Sequence, residues 1–393
     1  MAWLVLVLVA ATVAACGELG PEPSGRSSGA WERLPDPPLS ARESGLALWV
    51  DGEALMLGGS DADPCPPAAG CVAPTEPPLR DGAAFDPRRQ TWRRIAPAPV
   101  GFAFAEGVVA RGVAYILADG EPGRPDAPPA FLSYRGAEDA WTQLRFPPGG
   151  GDRSIVATDD HVVAFSTTDE RGAVPDVVFD PATGEWSRLP DDPLPRSFDR
   201  TMAWSGRELV LFAHRLVPQP GAREPSLVLA AALDLDSGTW RRLPDSELLG
   251  QGARWFEFDG RLIFPALGDA DGGEVGNWGR AYPHGGVLDP RLGTWSALPE
   301  APAGVDPSAG EEFAAGIVAG READYFGHRG WILDAVAQDW IAIPPLDEHE
   351  PLITGRSVTA AGRDMLVFGG VRWDQDGMRG EHLNDAWIWS PPR

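Results

Sequence analysis

An Asp followed six residues later by a Trp recurs five times along the 393 residues, 47 Gly and 40 Pro make up more than a fifth of the chain, and 43% of it is apolar with 16 Trp. Together these predict an all-β fold, a seven-bladed β-propeller closed by its N-terminal strand. Turn formers at this density break a chain into short strands, while the apolar and aromatic share is enough to fill a core.

The repeat runs Asp86-Pro87 to Trp92, Asp180-Pro181 to Trp186, Asp234 to Trp240, Asp289-Pro290 to Trp295 and Asp334 to Trp340, and Arg135 to Trp141 keeps the interval without the Asp. The Asp carboxylate can accept a backbone N–H two residues on, and Pro at the next position presets φ, so each copy reads as a strand-reversing turn. The Trp then opens the next strand with a side chain large enough to fill an interface between blades. Two further strands precede each turn. In the first unit Gly45 to Val50 turns at Asp51-Gly52 into Ala54 to Leu57, which ends at Gly58-Gly59; in the last, Val358 to Ala361 turns at Gly362-Arg363-Asp364 into Met365 to Phe368, which ends at Gly369-Gly370.

An apolar strand ending in Gly-Gly, a variable loop, a strand such as Asn384-Asp385-Ala386-Trp387-Ile388-Trp389, an Asp-Pro turn and a Trp resemble the repeat of the kelch family, over residues 31–393. Trp31, Trp92, Trp141, Trp186, Trp240, Trp295 and Trp340 mark seven units, although only the first and last keep Gly-Gly and the sixth has a short loop between Tyr325 and Trp331. The last unit ends at Trp389-Ser390-Pro391-Pro392-Arg393 before any Trp strand, while the domain begins with an unpartnered Trp31-Glu32-Arg33-Leu34-Pro35. The N-terminal strand is therefore expected to complete the last blade, which leaves no open edge.

Residues 2–15 form an apolar run too short to span a membrane and suited to the core of a signal peptide. It ends in Val13-Ala14-Ala15-Cys16, which resembles the lipobox of bacterial lipoproteins, where the Cys thiol carries a lipid. An ordinary cleaved signal with an incidental Cys is the bland alternative. Positions 1–15 are accordingly read as a lipoprotein signal peptide, 16–30 as a disordered tether, and 31–393 as the propeller. The resemblance implies export, with lipid at Cys16 as the chain's sole contact with the membrane. Cys65 and Cys71 share one Pro-rich loop with neither a third Cys nor a His beside them, a poor zinc site with the wrong spacing for a redox motif. In an oxidising compartment they read as a disulfide that pins one loop.

The formal charge of −24 comes from 57 acidic and 33 basic residues, every basic one an Arg, and this excludes nucleic acid as a partner. The six His stand singly along the chain, with no His-x-x-x-His or Cys/His cluster, which gives imidazole-based metal catalysis no support. Some kelch-like propellers are copper oxidases with a cysteine-modified Tyr; confinement of both mature-domain cysteines to one loop argues against that class, and no cofactor or metal is expected. Asp61-Ala62-Asp63, Asp269 to Glu274 and Asp374 to Gly377 fall in the loops between second and third strands, where they could offer oxygens to Ca²⁺ or simply be solvated.

Counting back from the first Gly of Gly-Gly brings Arg153, Arg200, Arg254 and Arg356 to the start of the innermost strands in four units, with Glu43, Glu106 and Glu312 near the same place in three others. The four arginines are candidates for an anion site at the channel mouth, since guanidinium forks suit carboxylate or phosphate oxygens. Each could equally be solvated or paired to a neighbouring Glu. The leading functional expectation is a tethered binding or protein-interaction module, monomeric, with a protein or carbohydrate ligand on its loop face. The alternative is an enzyme or binding protein for an anionic sugar, which would need a carboxylate or Tyr among substrate-orienting groups.

Overall fold

The computed structural model describes residues 29–67, 69–72, 74–118, 129–150, 152–169, 174–217, 224–250, 254–266, 282–300, 316–319, 322–325, 330–346 and 352–392. Cys16 and nearly all of the expected signal and tether lie outside them. Among the described residues there is no helix, hence none long and apolar enough to cross a membrane.

Strands Leu46–Val50, Glu53–Leu57, Gly82–Asp86 and Thr91–Ile95 pair in that order, each antiparallel to the last, as sheet 1. The same meander gives sheet 2 from Glu106–Ala110 to Ala140–Leu144, sheet 3 from Arg153–Ala157 to Glu185–Arg188, sheet 4 from Ser197–Trp204 to Thr239–Arg242, and sheet 5 from Phe256–Phe258 to Thr294–Ser296. Sheet 6 is irregular: Gly316–Ala319 lies between Glu322–Tyr325 and Gly330–Asp334 and runs parallel to the latter. In sheet 7, Ser357–Ala361, Asp364–Phe368 and Ala386–Ser390 are followed by Ala30–Arg33, with Trp31 opposite Trp389. The first strand of the domain thus pairs with the last, as the unpartnered Trp31 segment leads one to expect. Propeller-type four-stranded sheets are what the repeat predicts.

The middle strands are apolar on both sides because each sheet is sandwiched between two others. A strand points successive side chains to opposite faces, and Glu53–Leu57 buries all four of Ala54, Leu55, Met56 and Leu57. Leu55 and Leu57 pack with Ile116 and Leu132 of sheet 2, whereas Ala54 and Met56 pack with Leu366 and Phe368 of sheet 7. Equivalent layers lie between sheets 2 and 3, 3 and 4, 4 and 5, 5 and 6, and 6 and 7. The outermost strands face water and are polar, as in Thr91–Ile95.

The Asp turns form as their chemistry dictates. Asp86 accepts the Arg88 N–H at 2.8 Å, Asp180 that of Ala182 at 2.8 Å, Asp234 that of Ser237 at 2.9 Å, Asp289 that of Leu292 at 2.9 Å and Asp334 that of Val336 at 3.0 Å. The fourth residue after the Asp adopts positive φ, and Gly184, Gly238 and Gly293 supply it without strain.

Beyond each turn, the Trp lies across the seam and its indole N–H donates to a carbonyl of the sheet before. Trp92 reaches Pro35 at 2.8 Å, Trp141 reaches Ala96 at 2.7 Å, Trp186 reaches Arg145 at 2.8 Å, and Trp240 reaches Pro190 at 2.9 Å. Trp295 reaches Pro244 at 2.9 Å and Trp340 reaches Pro299 at 3.4 Å. Trp31, from the N-terminal strand, makes the same bond to Pro344 at 2.7 Å. In every case the acceptor directly follows an aliphatic residue, from Leu34 through Ile343.

Two loops are elaborated. Cys65 and Cys71 are joined by a disulfide in the 58–81 loop of sheet 1, and the loop of sheet 7 folds Val371–Trp373 and Gly380–His382 into a hairpin that adds Ile353–Thr354 as a third strand.

Two predictions concern these repeats. Asp86 titrates below the usual carboxylate range because Arg89 and backbone N–H groups bond its ionised form, and Asp180 and Asp234 do so because the N–H groups of Ala182 and Ser237 bond theirs. Their folded-state values lie below the unfolded ones, so their contribution is complete above about pH 4 and is lost as pH falls through the folded values; urea midpoints measured across this range should decline, and less so in Asp180→Asn. Trp186→Phe keeps the ring against Phe131 and Phe179 but loses one hydrogen bond, an expected loss of about 1 kcal/mol. Trp186→Ala should cost about 3–5 kcal/mol, and Trp31→Phe should match Trp186→Phe in the same urea titrations.

Candidate functional site

In sheets 1, 2, 4 and 7 the chain enters the innermost strand through one residue of positive φ: Ser44, Phe104, Asp199 and Gly355. The Phe104 N–H donates to the Ser44 carbonyl at 2.9 Å, and the Ser44 N–H to that of Gly355 at 2.7 Å, so neighbouring entries are tied edge to edge. This conformation is natural for Gly355 and costly for a bulky side chain, on the order of 1–3 kcal/mol. Phe104 nevertheless holds it, and the residue is 75% exposed. Nothing in the sequence around Phe104 marks it; only its alignment with Ser44 and Gly355 does. Beside it the Glu106 carboxylate accepts the Ser154 hydroxyl at 2.6 Å and the Ile155 N–H at 3.0 Å, bridging sheets 2 and 3.

The four candidate arginines meet different fates at these entries. Arg153 opens its strand and is buried, its guanidinium donating to the carbonyls of Pro148 at 2.6 Å, Pro175 at 3.1 Å and Ala164 at 3.3 Å. Burial pushes its pKa down, partly offset by Asp176. Arg200 lies inside Ser197–Trp204, where the register shifts between Phe198 and Thr201. Its side chain donates to the Ser166 carbonyl at 2.9 Å, to Asp176 at 2.9 Å and to Asp192 at 3.0 Å. Arg153 and Arg200 are therefore brought together around Asp176, across the seam of sheets 3 and 4. Arg254 is exposed, with its guanidinium 5.5 Å from the centre of the Phe256 ring. Arg356 is a buried side chain whose Nη1 lies 3.7 Å from Asp385.

A fifth arginine, which the count from Gly-Gly passes over, is bonded through all three guanidinium nitrogens. Arg42 donates through Nε and Nη2 to Ser40, through Nη1 to the Gly58 carbonyl at 3.0 Å, and through both Nη atoms to Asp81 at 2.7 and 3.2 Å. Although burial opposes it, Asp81 is held below the usual carboxylate range by Arg42 and Arg94.

Glu43 and Glu106 stand at the entries, and Glu312 lies outside the described residues. Glu43 is 3.7 Å from His382 on the sheet 7 hairpin, and burial raises its pKa against the pull of that His. His214 lies inside Leu209–Arg215. It is buried, stacked on Phe198 at 5.3 Å, with Nε2 3.2 Å from the Leu249 carbonyl and Nδ1 3.5 Å from the half-exposed Asp199. His328 and His349 lie outside the described residues.

Of the Asp-rich loops, 269–274 lies outside the described residues. Asp374 accepts the N–H groups of Met378 at 2.9 Å and Arg379 at 3.2 Å, capping the tip of the hairpin. Among the described residues no group of three or more His, Cys, Asp or Glu could hold a metal ion.

Arg200→Ala tests whether these arginines are structural. It leaves the partly buried Asp192 without its guanidinium partner and Asp176 with Arg153 alone, and breaking such a cluster from one side should cost about 3–5 kcal/mol in chemical denaturation at neutral pH. Burial already raises the Asp192 carboxyl, so the deficit should shrink as acid protonates it.

No family model matches the chain, and no curated protein matches it.

Proposed function

We propose that the chain is a seven-bladed, ring-closed propeller of the kelch kind, held outside the cytoplasm by lipid on Cys16, that works as a binding module through the loops of one face. For closure, the support is the N-terminal strand: Ala30–Arg33 pairs with Ala386–Ser390, and Trp31 bonds Pro344 in the manner of the other six repeat tryptophans. Contacts between the leading strands of neighbouring sheets also run from sheet 1 to sheet 5, then through Gly316–Ala319 and Glu322–Tyr325 of sheet 6 to sheet 7, and from sheet 7 back to sheet 1.

The observation that carries the binding reading is the contrast between the two parts of this face. Three of its arginines are turned inward: Arg42, Arg153 and Arg200 bond carbonyls and carboxylates of the chain itself. Its loops are built outward, one tied by Cys65–Cys71 and one folded as a hairpin. Rigid, exposed loops on a packed scaffold are what recognition of a macromolecule needs. An anionic sugar would need donors that are available to it, and Arg153 and Arg200 do not favour that reading.

Membrane fractionation of wild type and Cys16→Ser tests the anchor: the variant should leave the membrane fraction or remain unprocessed, and identical fractionation and maturation would overturn the lipid. A thermal screen against acidic sugars and carboxylates tests the ligand class. It should be flat, whereas a ligand at a hundredfold over its Kd would stabilise by about 2.7 kcal/mol and restore the sugar reading.

A further inference from the structure

The Cys65–Cys71 bond lies away from the core, with both cysteines exposed. A bond closing so short a loop removes little unfolded-state freedom compared with one closing a long loop. Its main physical consequence is to hold the loop in one shape. From Pro64 to Thr75 that loop contains no charged residue, running through Pro66-Pro67 to Val72-Ala73-Pro74, and Val72 is 94% exposed.

The sheet 7 hairpin abuts it. A Cβ on Gly380 would come within 2.8 Å of the Pro64 ring, so the two loops meet where a side chain has been left out. The hairpin is braced from beneath: Trp373 is 2% exposed and donates through Nε1 to Thr354 at 2.8 Å and through its backbone N–H to Leu352 at 2.9 Å. Its tip, capped by Asp374, carries Met378 at 63% exposed, and Leu352 at its base is 44% exposed. Two stiff tips thus offer apolar side chains to solvent. Around them Asp61, Asp63, Glu76, Asp374, Asp376 and Glu381 outnumber Arg372 and Arg379.

We propose that the disulfide loop and the adjoining hairpin form a docking surface for a protein partner that presents an apolar cleft rimmed by Arg or Lys. This rests on the reading of the chain as a binding module and names the part of the face that binds. Apolar anchors inside a charged rim are the usual anatomy of such an interface. The acidic rim selects a basic partner and disfavours anionic polymers, anionic lipid surfaces and a second copy of this chain. Because the disulfide and the Asp374 cap have ordered both tips beforehand, little ordering entropy remains to oppose association.

A photo-crosslinking residue is placed singly at Val72, Met378, Phe104 and Leu292 in the full-length chain, in the cells that make it. The expected result is one protein captured from Val72 and Met378 and not from Leu292. Once identified and purified, that protein should bind less tightly as salt rises. Val72→Asp combined with Met378→Asp should weaken binding at least about tenfold. Cys65→Ser with Cys71→Ser should weaken it as well while cooperative unfolding persists. A specific partner captured from Phe104 alone would overturn this surface and leave the binding-module reading standing. Capture from none of these positions would overturn both. Capture of this chain itself, a partner whose binding ignores salt, or one taken equally from Leu292 would overturn the proposed partner chemistry.

Discussion

The indole N–H of one sheet bonded to a carbonyl of the sheet before it is the contact on which the rest of the architecture depends. Four short strands bury too little surface to stand alone, so each sheet needs neighbours on both faces. The middle strands supply the apolar area, as Ala54 to Leu57 do, but apolar packing is indifferent to a small slide of one sheet past the next. A directional bond from a large ring to the carbonyl after an aliphatic anchor removes that freedom. Trp92 with Pro35 and Trp186 with Arg145 set the same offset at different seams. The acceptor is a backbone carbonyl, so its own side chain is free to vary, and Pro, Ala and Arg all serve. Trp31 has its acceptor at Pro344, 313 residues away in sequence, which makes the N-terminal strand obey the rule that organises the others.

This explains which parts of the fold could be read in advance. Asp and Trp at a fixed interval are visible because both act locally, the Asp on its own turn and the Trp at the start of the strand that follows. Strands such as Met365 to Phe368 are visible because burial on both faces demands an unbroken apolar run. The displaced first strand was visible from arithmetic, since one unit lacked a Trp strand and the other end of the chain had one spare. The order of strands in sheet 6 was not, because the parallel pairing of Ile317 with Leu333 leaves no mark on a pattern that records only alternation.

The strand entries are less legible in the sequence, for a reason that lies in distance. Residue type places an Arg at an entry, but what its guanidinium does depends on groups far along the chain. Arg200 meets Asp176 and Asp192, 24 and 8 residues away, and Arg42 meets Asp81, 39 residues away. Counting back from Gly-Gly points to Glu43 in the first unit and passes over Arg42 beside it. Arg200 was found, yet the register shift after Phe198 set it inside a strand. Phe104 had no signal at all, because an exposed Phe in a strained conformation follows from the entry geometry that Ser44 and Gly355 share and not from its own neighbours.

The inward turn of the arginines also bears on how the outside of the molecule behaves. A chain that uses no Lys holds Arg42, Arg153, Arg200 and Arg356 as buried side chains against its own carbonyls and carboxylates. A forked cation can satisfy several acceptors from one position, and a point charge such as an ammonium cannot. The positive charge so enclosed is neutralised locally, while many of the 57 acidic residues remain at the surface. The exterior field is consequently negative, and such a field speeds the approach of basic partners over a range set by salt. It does not by itself choose a contact point, because it surrounds the whole molecule. Selection has to come from the places where the negative surface is interrupted by something rigid and apolar, and the uncharged stretch from Pro64 to Thr75, clamped by its disulfide, is such a place.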